Sequence, residues 1–410
     1  MKQYVIAGNG VAAVGCIEGI RSVDKEGEIT VISKEKHPVY CRPLISYYLE
    51  HKTDLQRMNY RNPDFYEQMG CRVLYGKEAV AACADSKKVK LDDGTELPYT
   101  GLCVATGSDA FVPPLEGLKT VKKSFEFMTL DDALALEGEI SKESRVLIVG
   151  AGLIGLKCAE GLCGRVSEIT VCDLADRVLS SILDADCAEM MQRRLEENGI
   201  GFMLGDTALR FQGNKAVMKS GKTVDFDILV LSVGVRANTD LVKNMGGETN
   251  RGIIVNERME TSVSGIYAAG DCTESKDISS GQKKVMALLP NAYMQGHAAG
   301  VNMAGGNEVF DRAVPMNSIG FFGLHAMTAG SYEGEMYEER SENTLKRLFT
   351  KDGLLKGFIL IGEVERAGIY TSLIRERTPL DTIDFETMKK VATSVAFSSK
   401  TRRKKFGSVV

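Results

Sequence analysis

Through most of this chain, short apolar runs of strand length alternate with longer stretches whose apolar residues recur at helical spacing. Gln3-Tyr-Val-Ile-Ala7 is such a run. It passes through Gly8-Asn-Gly10-Val-Ala-Ala13 into a predicted helix reaching Arg21, and Glu28–Ser33 is the next strand. The same order returns at Arg145–Val149, Gly150-Ala-Gly152-Leu-Ile-Gly155, a helix to Cys163 and a strand at Glu168–Cys172. Alternation of this kind predicts parallel sheets with helices on both faces, here from a duplicated unit and not a solenoid repeat. Between the copies Lys36–Asn62 is loop-rich, and short strands are predicted at Cys71–Leu74 and Val89–Leu91 with Asp93-Gly94 as a turn. Val112-Pro-Pro-Leu-Glu-Gly117 is a connector. A helix is predicted over Asn291–Met303. From Val309 the pattern becomes a meander, with strands at Thr344–Thr350 and Gly357–Glu363 around the turn Lys351-Asp-Gly353.

Composition changes this picture little. Residues that are 44% apolar and 26% charged over 410 positions suit two or three globular domains. A formal net charge of -4 argues against nucleic acid as the main partner. The longest apolar runs, such as Val146–Val149 and Ile228–Val233, fall far short of the roughly 20 residues that cross a bilayer. The first strand begins at once, with no secretion signal pattern, so a cytoplasmic location and no membrane partner are expected. Ten scattered cysteines (16, 41, 71, 83, 103, 158, 163, 172, 187, 272) contain no C-x-x-C, so no zinc or iron–sulfur site is expected within the chain.

The two glycine-rich loops carry the candidate chemistry. Gly8 and Gly10 let the backbone turn tightly and approach a pyrophosphate, whose charge the following helix N-terminus favours; Ala13 stands at the third place of the fingerprint. Glu35, just past the second strand, is the candidate ribose acceptor, with Ser33 and Lys34 at the neighbouring places. Gly150, Gly152 and Gly155 repeat the fingerprint in full, and Asp173 ends the next strand. A carboxylate there favours the free 2′-hydroxyl of NAD over the 2′-phosphate of NADP, although Arg177 nearby can meet a phosphate. Two sites suggest one flavin and one nicotinamide. The expected fold class is α/β: two Rossmann-like doubly wound dinucleotide-binding domains plus a small α+β C-terminal domain.

With these motifs the chain resembles the FAD/NAD-dependent pyridine nucleotide–disulfide oxidoreductase superfamily. Three further segments carry the resemblance: Thr100-Gly-Leu-Cys-Val-Ala-Thr106-Gly107, Asp227-Ile-Leu-Val-Leu-Ser-Val-Gly234-Val-Arg-Ala-Asn238, and Gly265-Ile-Tyr-Ala-Ala-Gly270-Asp271. Tyr40-Cys-Arg42-Pro43-Leu-Ile-Ser46 is similar to a segment of the rubredoxin-reductase and nitrite-reductase-like branch. Val314–Gly323 and Gly362–Tyr370 resemble FAD subunits of anaerobic bacterial oxidoreductase complexes. The resemblance implies an FAD domain of residues 1–110 with 235–308, an NAD domain of residues 111–234, and a C-terminal interface or dimerisation domain of residues 309–410. It implies FAD held by Gly8, Gly10, Ala13, Glu35, Arg42, Thr106, Gly107, Gly270 and Asp271, with Arg42 toward the phosphates and Asp271 toward the ribityl chain. It places NAD(H) at Gly150, Gly152, Gly155, Asp173 and Gly234, with NADP(H) disfavoured.

The activity so implied is hydride transfer from NADH to FAD, then electron delivery to an iron–sulfur protein, ferredoxin or rubredoxin, or the reverse. The chain would act alone, as a homodimer, or as the FAD subunit of a larger complex. No side chain need be a general base, since the cofactor carries the chemistry. Two alternatives stand beside this reading. Cys41 occupies about the place of the redox cysteine in coenzyme A-disulfide reductases and NADH oxidases, although Arg42-Pro43 follows it where those enzymes read C-G-[hydrophobic]-P; the bland expectation is a small residue packed near the flavin. A non-catalytic flavoprotein subunit is the other. Cys158 and Cys163, five apart, project about 140° apart on a helix and are not expected to pair. Lys157 and Tyr47 depart from the family pattern, with Lys52 as a possible substitute for a flavin-contacting lysine. His297 and His325 are expected to be structural, and Phe321 and Phe322 either core residues or a border to the flavin. The basic run Thr401-Arg-Arg-Lys-Lys405 is expected to be solvated, with steering of an acidic partner as its alternative.

Overall fold

The computed structural model describes residues 1–406. The chain divides into two compact units, one of Met1–Ser181, Leu195–Ser275 and Lys283–Asp311, the other of Ile182–Arg194, Lys276–Gln282 and the chain from Arg312 onward.

The first unit contains two five-stranded parallel sheets. In one, the strand order is Ile266–Ala268, Gly101–Val104, Gln3–Ala7, Glu28–Ser33, Cys71–Tyr75. In the other it is Ile200–Leu204, Glu168–Asp173, Arg145–Val149, Ile228–Leu231, Ser124–Glu126. Both central strands are apolar because helices cover both faces of a parallel sheet; Tyr4, Val5, Ile6, Val146, Leu147 and Ile148 are all buried. Each sheet carries a three-stranded antiparallel meander in sequence after its outer strands, at 79–98 and 208–225. The first glycine loop opens the helix Val11–Val23, the second the helix Leu153–Leu162.

The helix Leu289–Met303 crosses the first glycine helix so closely that backbones touch. A Cβ on Gly296 would lie 1.9 Å from the Ala12 carbonyl oxygen, and one on Gly300 would lie 2.1 Å from that of Cys16. Gly15 and Gly19 answer from the other side, at 2.2 Å from the Tyr293 and His297 carbonyl oxygens.

The expected loop at Lys36–Asn62 is more ordered than its composition indicates. Arg42–Leu44 forms a 3-10 turn and Ile45–Leu49 a short helix. Five residues are too few to hold a helix by themselves. Packing supplies the rest: the Cβ position of Gly161 on the second glycine helix lies 3.0 Å from both Leu49 Cβ and the Ser46 carbonyl oxygen.

The second unit is built on an antiparallel sheet in the order Met316–Phe321, Leu324–Gly330, Leu354–Ile361, Leu345–Lys351, Glu335–Arg340. The helix Ala367–Arg375 packs Tyr370, Leu373 and Ile374 against Phe358 and Leu360 of this sheet. The predicted Asp352-Gly353 turn joins its two inner strands, with Asp352 and Gly353 at φ 55° and 69°. The basic run lies in a helix, Ser399–Phe406, with Arg403 exposed. The side chains of Lys404 and Lys405, and residues 407–410, lie outside the described residues.

Candidate functional site

Gly8 follows the first strand with φ +117°, a conformation L side chains rarely adopt, and a Cβ there would sit 2.0 Å from the Ala105 carbonyl oxygen. The loop is thus locked against the Ala105-Thr106 segment, as its own N–H binds the Ile32 carbonyl at 2.9 Å. Gly10 caps the helix without any side-chain partner, and nothing lies within 4 Å of its Cβ position. No side chain caps the helix start, which leaves its first N–H groups for an anion. Ala13 is fully buried within the helix.

Thr106-Gly107 and the Gly234-to-Asn238 segment meet. Thr106 Oγ1 donates to the Asn238 carbonyl at 2.9 Å, Asn238 Nδ2 donates to the Thr106 carbonyl at 3.2 Å, and Asn238 N–H donates to the Gly107 carbonyl at 3.0 Å. The strands Ser108–Ala110 and Val235–Ala237 run antiparallel from this junction. Gly107 and Gly234, both with positive φ, leave open space on their Cβ sides. Gly270, also left-handed, donates its N–H to the Gln295 side-chain oxygen at 2.8 Å, which aims the neighbouring Asp271.

Asp271 and Arg42 are coupled through charge. Burial pushes the Asp271 carboxyl above its ordinary range, and Arg42 opposes that rise. Burial works against the Arg42 charge, and Tyr40, Glu35 and Asp271 hold its pKa up. Arg42 Nη2 donates to Glu35 Oε1 at 2.7 Å, and its Nη1 donates to the Met128 carbonyl at 3.2 Å. The Tyr40 hydroxyl donates to Glu35 Oε2 at 2.7 Å and accepts from Leu130 N–H at 2.8 Å. Glu35 thus sits beside Arg42 and shares both carboxylate oxygens with the chain, so a ribose hydroxyl would use its remaining lone pairs. Lys34 turns away, toward Glu78 at 3.3 Å and Asp109 at 3.9 Å.

The second loop repeats the geometry. Gly150 has φ +119°, and its Cβ position lies 2.3 Å from the Ser232 carbonyl oxygen; that of Gly155 lies 2.0 Å from the Gly150 carbonyl oxygen, while Gly152 faces open space. The Asp173 carboxylate accepts from Ala151 N–H at 2.7 Å and from Ala175 N–H at 2.8 Å. One side chain therefore ties the end of its strand to the glycine loop and still has acceptor capacity. Arg177 pairs with Asp176 at 2.8 Å.

The residues fit a dinucleotide at the first loop. The Gly8 backbone is pressed against a neighbouring carbonyl, a helix start is open, and the Asp271 carboxyl has no hydrogen-bond partner among the described residues. No group of three or more metal-ligating side chains occurs among them.

Cys41 is not an activated thiol. All ten cysteines are free. Burial pushes the Cys41 thiol up, with the Leu44 N–H opposing it, so its thiolate fraction is below that of an ordinary cysteine. Cys158 is fully buried, whereas Cys163 ends its helix and donates to the Asn198 carbonyl at 3.2 Å.

Lys157 is only partly exposed. It is hydrogen-bonded to the buried Glu160 and lies 5.0 Å from the centre of the Tyr47 ring. Lys52 is exposed and pairs with Glu50 at 2.6 Å. His297 Nδ1 pairs with Glu308 at 2.9 Å, a tie between a helix and the chain that follows it. In the second unit, Phe321 is fully buried, Phe322 takes a left-handed turn conformation, and His325 is exposed. The glycine crossing of the two helices and the Tyr40–Glu35–Arg42 triangle escaped the sequence reading. The first has a readable signal, Gly15-x-x-x-Gly19 facing Gly296-x-x-x-Gly300; the second has none, since no spacing rule links a tyrosine to a carboxylate five residues earlier.

Two dinucleotide loops joined by a crossing pair of strands define a nucleotide-dependent oxidoreductase architecture. A family profile, pyridine nucleotide-disulphide oxidoreductase, matches residues 2–296, and the chain belongs to that family. It is 33% identical over 394 residues to the NADH-dependent phenylglyoxylate dehydrogenase subunit epsilon of Aromatoleum evansii, covering 92% of both chains. It is 32% identical over 392 residues to an NADH oxidase of Methanocaldococcus jannaschii, covering 88% of this chain and 87% of that protein. Among solved structures, the covalent putidaredoxin reductase–putidaredoxin complex matches with a TM-score of 0.88 at 22% identity, over 96% of this chain and 97% of the other, a likeness of fold. The chain is accordingly an oxidoreductase with two Rossmann-like domains and a C-terminal domain, using FAD and NADH. No helix among the described residues is long and apolar enough to cross a membrane.

Proposed function

We propose that this protein moves a hydride from NADH to FAD and passes the two electrons, one at a time, to an iron–sulfur or rubredoxin-type protein, or runs the sequence in reverse. Each NADH oxidised would reduce two one-electron acceptors and release one proton. Bound FAD would supply the conversion between two-electron and one-electron chemistry. The chain's own residues would bind and orient. Gly8, Gly10, Ala13, Glu35, Arg42, Thr106, Gly107, Gly270 and Asp271 form the FAD set; Gly150, Gly152, Gly155, Asp173 and Gly234 form the NAD set. The corresponding FAD domain is residues 1–110 with 235–308, the NAD domain residues 111–234, and the partner-facing or dimerising domain residues 309–410.

The observation that carries this reading is the junction at which Thr106-Gly107 of the FAD set meets Asn238, on the segment that follows Gly234 of the NAD set, with no activated thiol at Cys41. The raised Cys41 thiol argues against disulfide chemistry, which needs an accessible thiolate. Similarity to a chain named as a subunit of an NADH-dependent dehydrogenase favours a place within a larger assembly.

Anaerobic titration tests the proposal. Stoichiometric NADH should bleach the flavin spectrum, NADPH should do so less effectively, and ferredoxin or rubredoxin should restore it. A long-wavelength band abolished by thiol alkylation would transfer the chemistry to Cys41. FAD that neither nucleotide reduces would leave a non-catalytic flavoprotein subunit.

A further inference from the structure

The first glycine loop carries one polar side chain that the glycine pattern leaves without a role. Asn9 stands between Gly8 and Gly10, and its Oδ1 accepts a hydrogen bond from the Tyr66 hydroxyl at 2.6 Å. The same hydroxyl accepts from the Val39 backbone N–H at 3.3 Å. The single proton of the phenol is directed to Asn9, and one of its lone pairs accepts from Val39. With its oxygen toward Tyr66, the amide carries its Nδ2 on the opposite side. Burial raises the Tyr66 pKa, so the hydroxyl stays a neutral donor.

Asn9 Nδ2 is itself buried and has no hydrogen-bond partner among the described residues. A buried amide donor without an acceptor is costly, and native structures rarely keep one. Here it is held in place by a second side chain, on the loop that opens the first glycine helix. A donor fixed in this way calls for an oxygen acceptor brought by a ligand.

We infer that Asn9 Nδ2 donates to an oxygen of the diphosphate–ribose part of FAD, and that Tyr66 is the positioning residue that aims it. The inference rests on the FAD reading of this loop. It adds a side-chain contact to a site otherwise built from backbone, and it makes the segment Phe65–Gln68, distant in sequence from the glycine loop, part of cofactor retention.

The test is FAD release from the holoprotein, followed by recovery of free-flavin fluorescence on dilution, for wild type, Asn9→Ala, Asn9→Asp and Tyr66→Phe. Asn9→Ala should weaken FAD binding roughly tenfold to a hundredfold, the size expected when a hydrogen bond to a charged acceptor is lost. Asn9→Asp keeps the shape but turns an acceptor toward an acceptor, so it should bind more weakly still. Tyr66→Phe should lie between wild type and Asn9→Ala. Asn9→Ala and Tyr66→Phe decide the matter, since Asn9→Asp also places a negative charge beside the diphosphate. Unchanged FAD binding in both Asn9→Ala and Tyr66→Phe overturns the inference. Wild type that retains no FAD would instead overturn the FAD reading of the loop. Melting of each variant by circular dichroism separates weak binding from failure to fold.

Discussion

At the scale of single residues, the site is a set of backbone approaches supported by a few shared carboxylates. Asp173 shows how one side chain serves two ends. It fixes the glycine loop through the Ala151 N–H and keeps acceptor capacity where a ribose hydroxyl would arrive. Asp173→Asn removes the charge that attracts that hydroxyl and repels a 2′-phosphate. Hydrogen bonds to charged groups contribute about 1.5–3 kcal/mol, so KM for NADH should rise roughly tenfold to a hundredfold while the penalty on NADPH relaxes. Steady-state kinetics with both nucleotides distinguishes this from simple damage to the loop, which would depress the two alike. Cys41 gives the opposite expectation. Its thiol is held above the ordinary range by burial, and Cys41→Ser should leave NADH-to-dye turnover within about twofold of wild type, since only the thiolate is chemically active. Loss of turnover in that variant would return the thiol mechanism to consideration.

At the scale of elements, the arm that follows the second strand is fastened to the helices beside it by charge. Arg165 donates to the carbonyl of Leu49, which ends the arm helix, at 2.5 Å, and makes a two-point contact with Glu137 at 2.6 and 2.8 Å. His51 Nε2 stands 3.3 Å from the same carboxylate. The hydrogen bonds from Arg165 hold the Glu137 pKa below its ordinary 4.5. A carboxylate depressed on folding stabilises the folded state above its unfolded pKa and loses that contribution as pH falls through the folded value. Glu137→Gln should therefore lower thermal stability by about 1–3 kcal/mol at neutral pH. The gap from wild type should close as pH drops below 4.5, and melting curves across that range read it out. A gap independent of pH would mean that packing, not charge, holds the arm.

The same arm marks the limit of what the chain's pattern reveals. The central strands and both glycine helices were legible, because apolar runs broken by Gly-x-Gly leave few alternatives. The arm helix Ile45–Leu49 was not, since five residues with no cap carry no periodic signal and depend on contacts with Gly161 and Arg165, far along the chain. The helix Leu130–Glu137 lay in between. Its capping box, Thr129 with Asp132, is written in the sequence, yet it passed unnoticed beside the connector that precedes it. Of the candidate site, the glycines could be placed from local order alone. The pairings of Glu35 with Arg42 and Tyr40, and of Thr106 with Asn238, arise from segments brought together only by the finished fold.

At the scale of the whole molecule, the second compact unit is assembled from separated pieces of chain, and one side chain joins two of them. Arg347, on the inner strand Leu345–Lys351, is 6% exposed. Its guanidinium binds Glu338 of the neighbouring strand at 2.6 Å, Asp186 of the early piece Ile182–Arg194 at 2.8 Å, and Asp184 of that same piece. Burial alone would lower its pKa, but the three carboxylates raise it well above the ordinary value, so it stays charged. Arg347→Met would leave those carboxylates facing one another without a cation. Because they are 34–53% exposed and can recover water, the cost should be about 2–3 kcal/mol, less than the 3–5 typical of breaking a fully buried pair. If mutual repulsion is the cause, adding Asp186→Asn and Glu338→Gln to Arg347→Met should recover much of the loss, as buried ion groups replaced together often do. If the added changes recover nothing, the stem of Arg347 is what matters, through packing that Met does not reproduce. Chemical denaturation of the single and triple variants separates these outcomes, and the expected one is recovery.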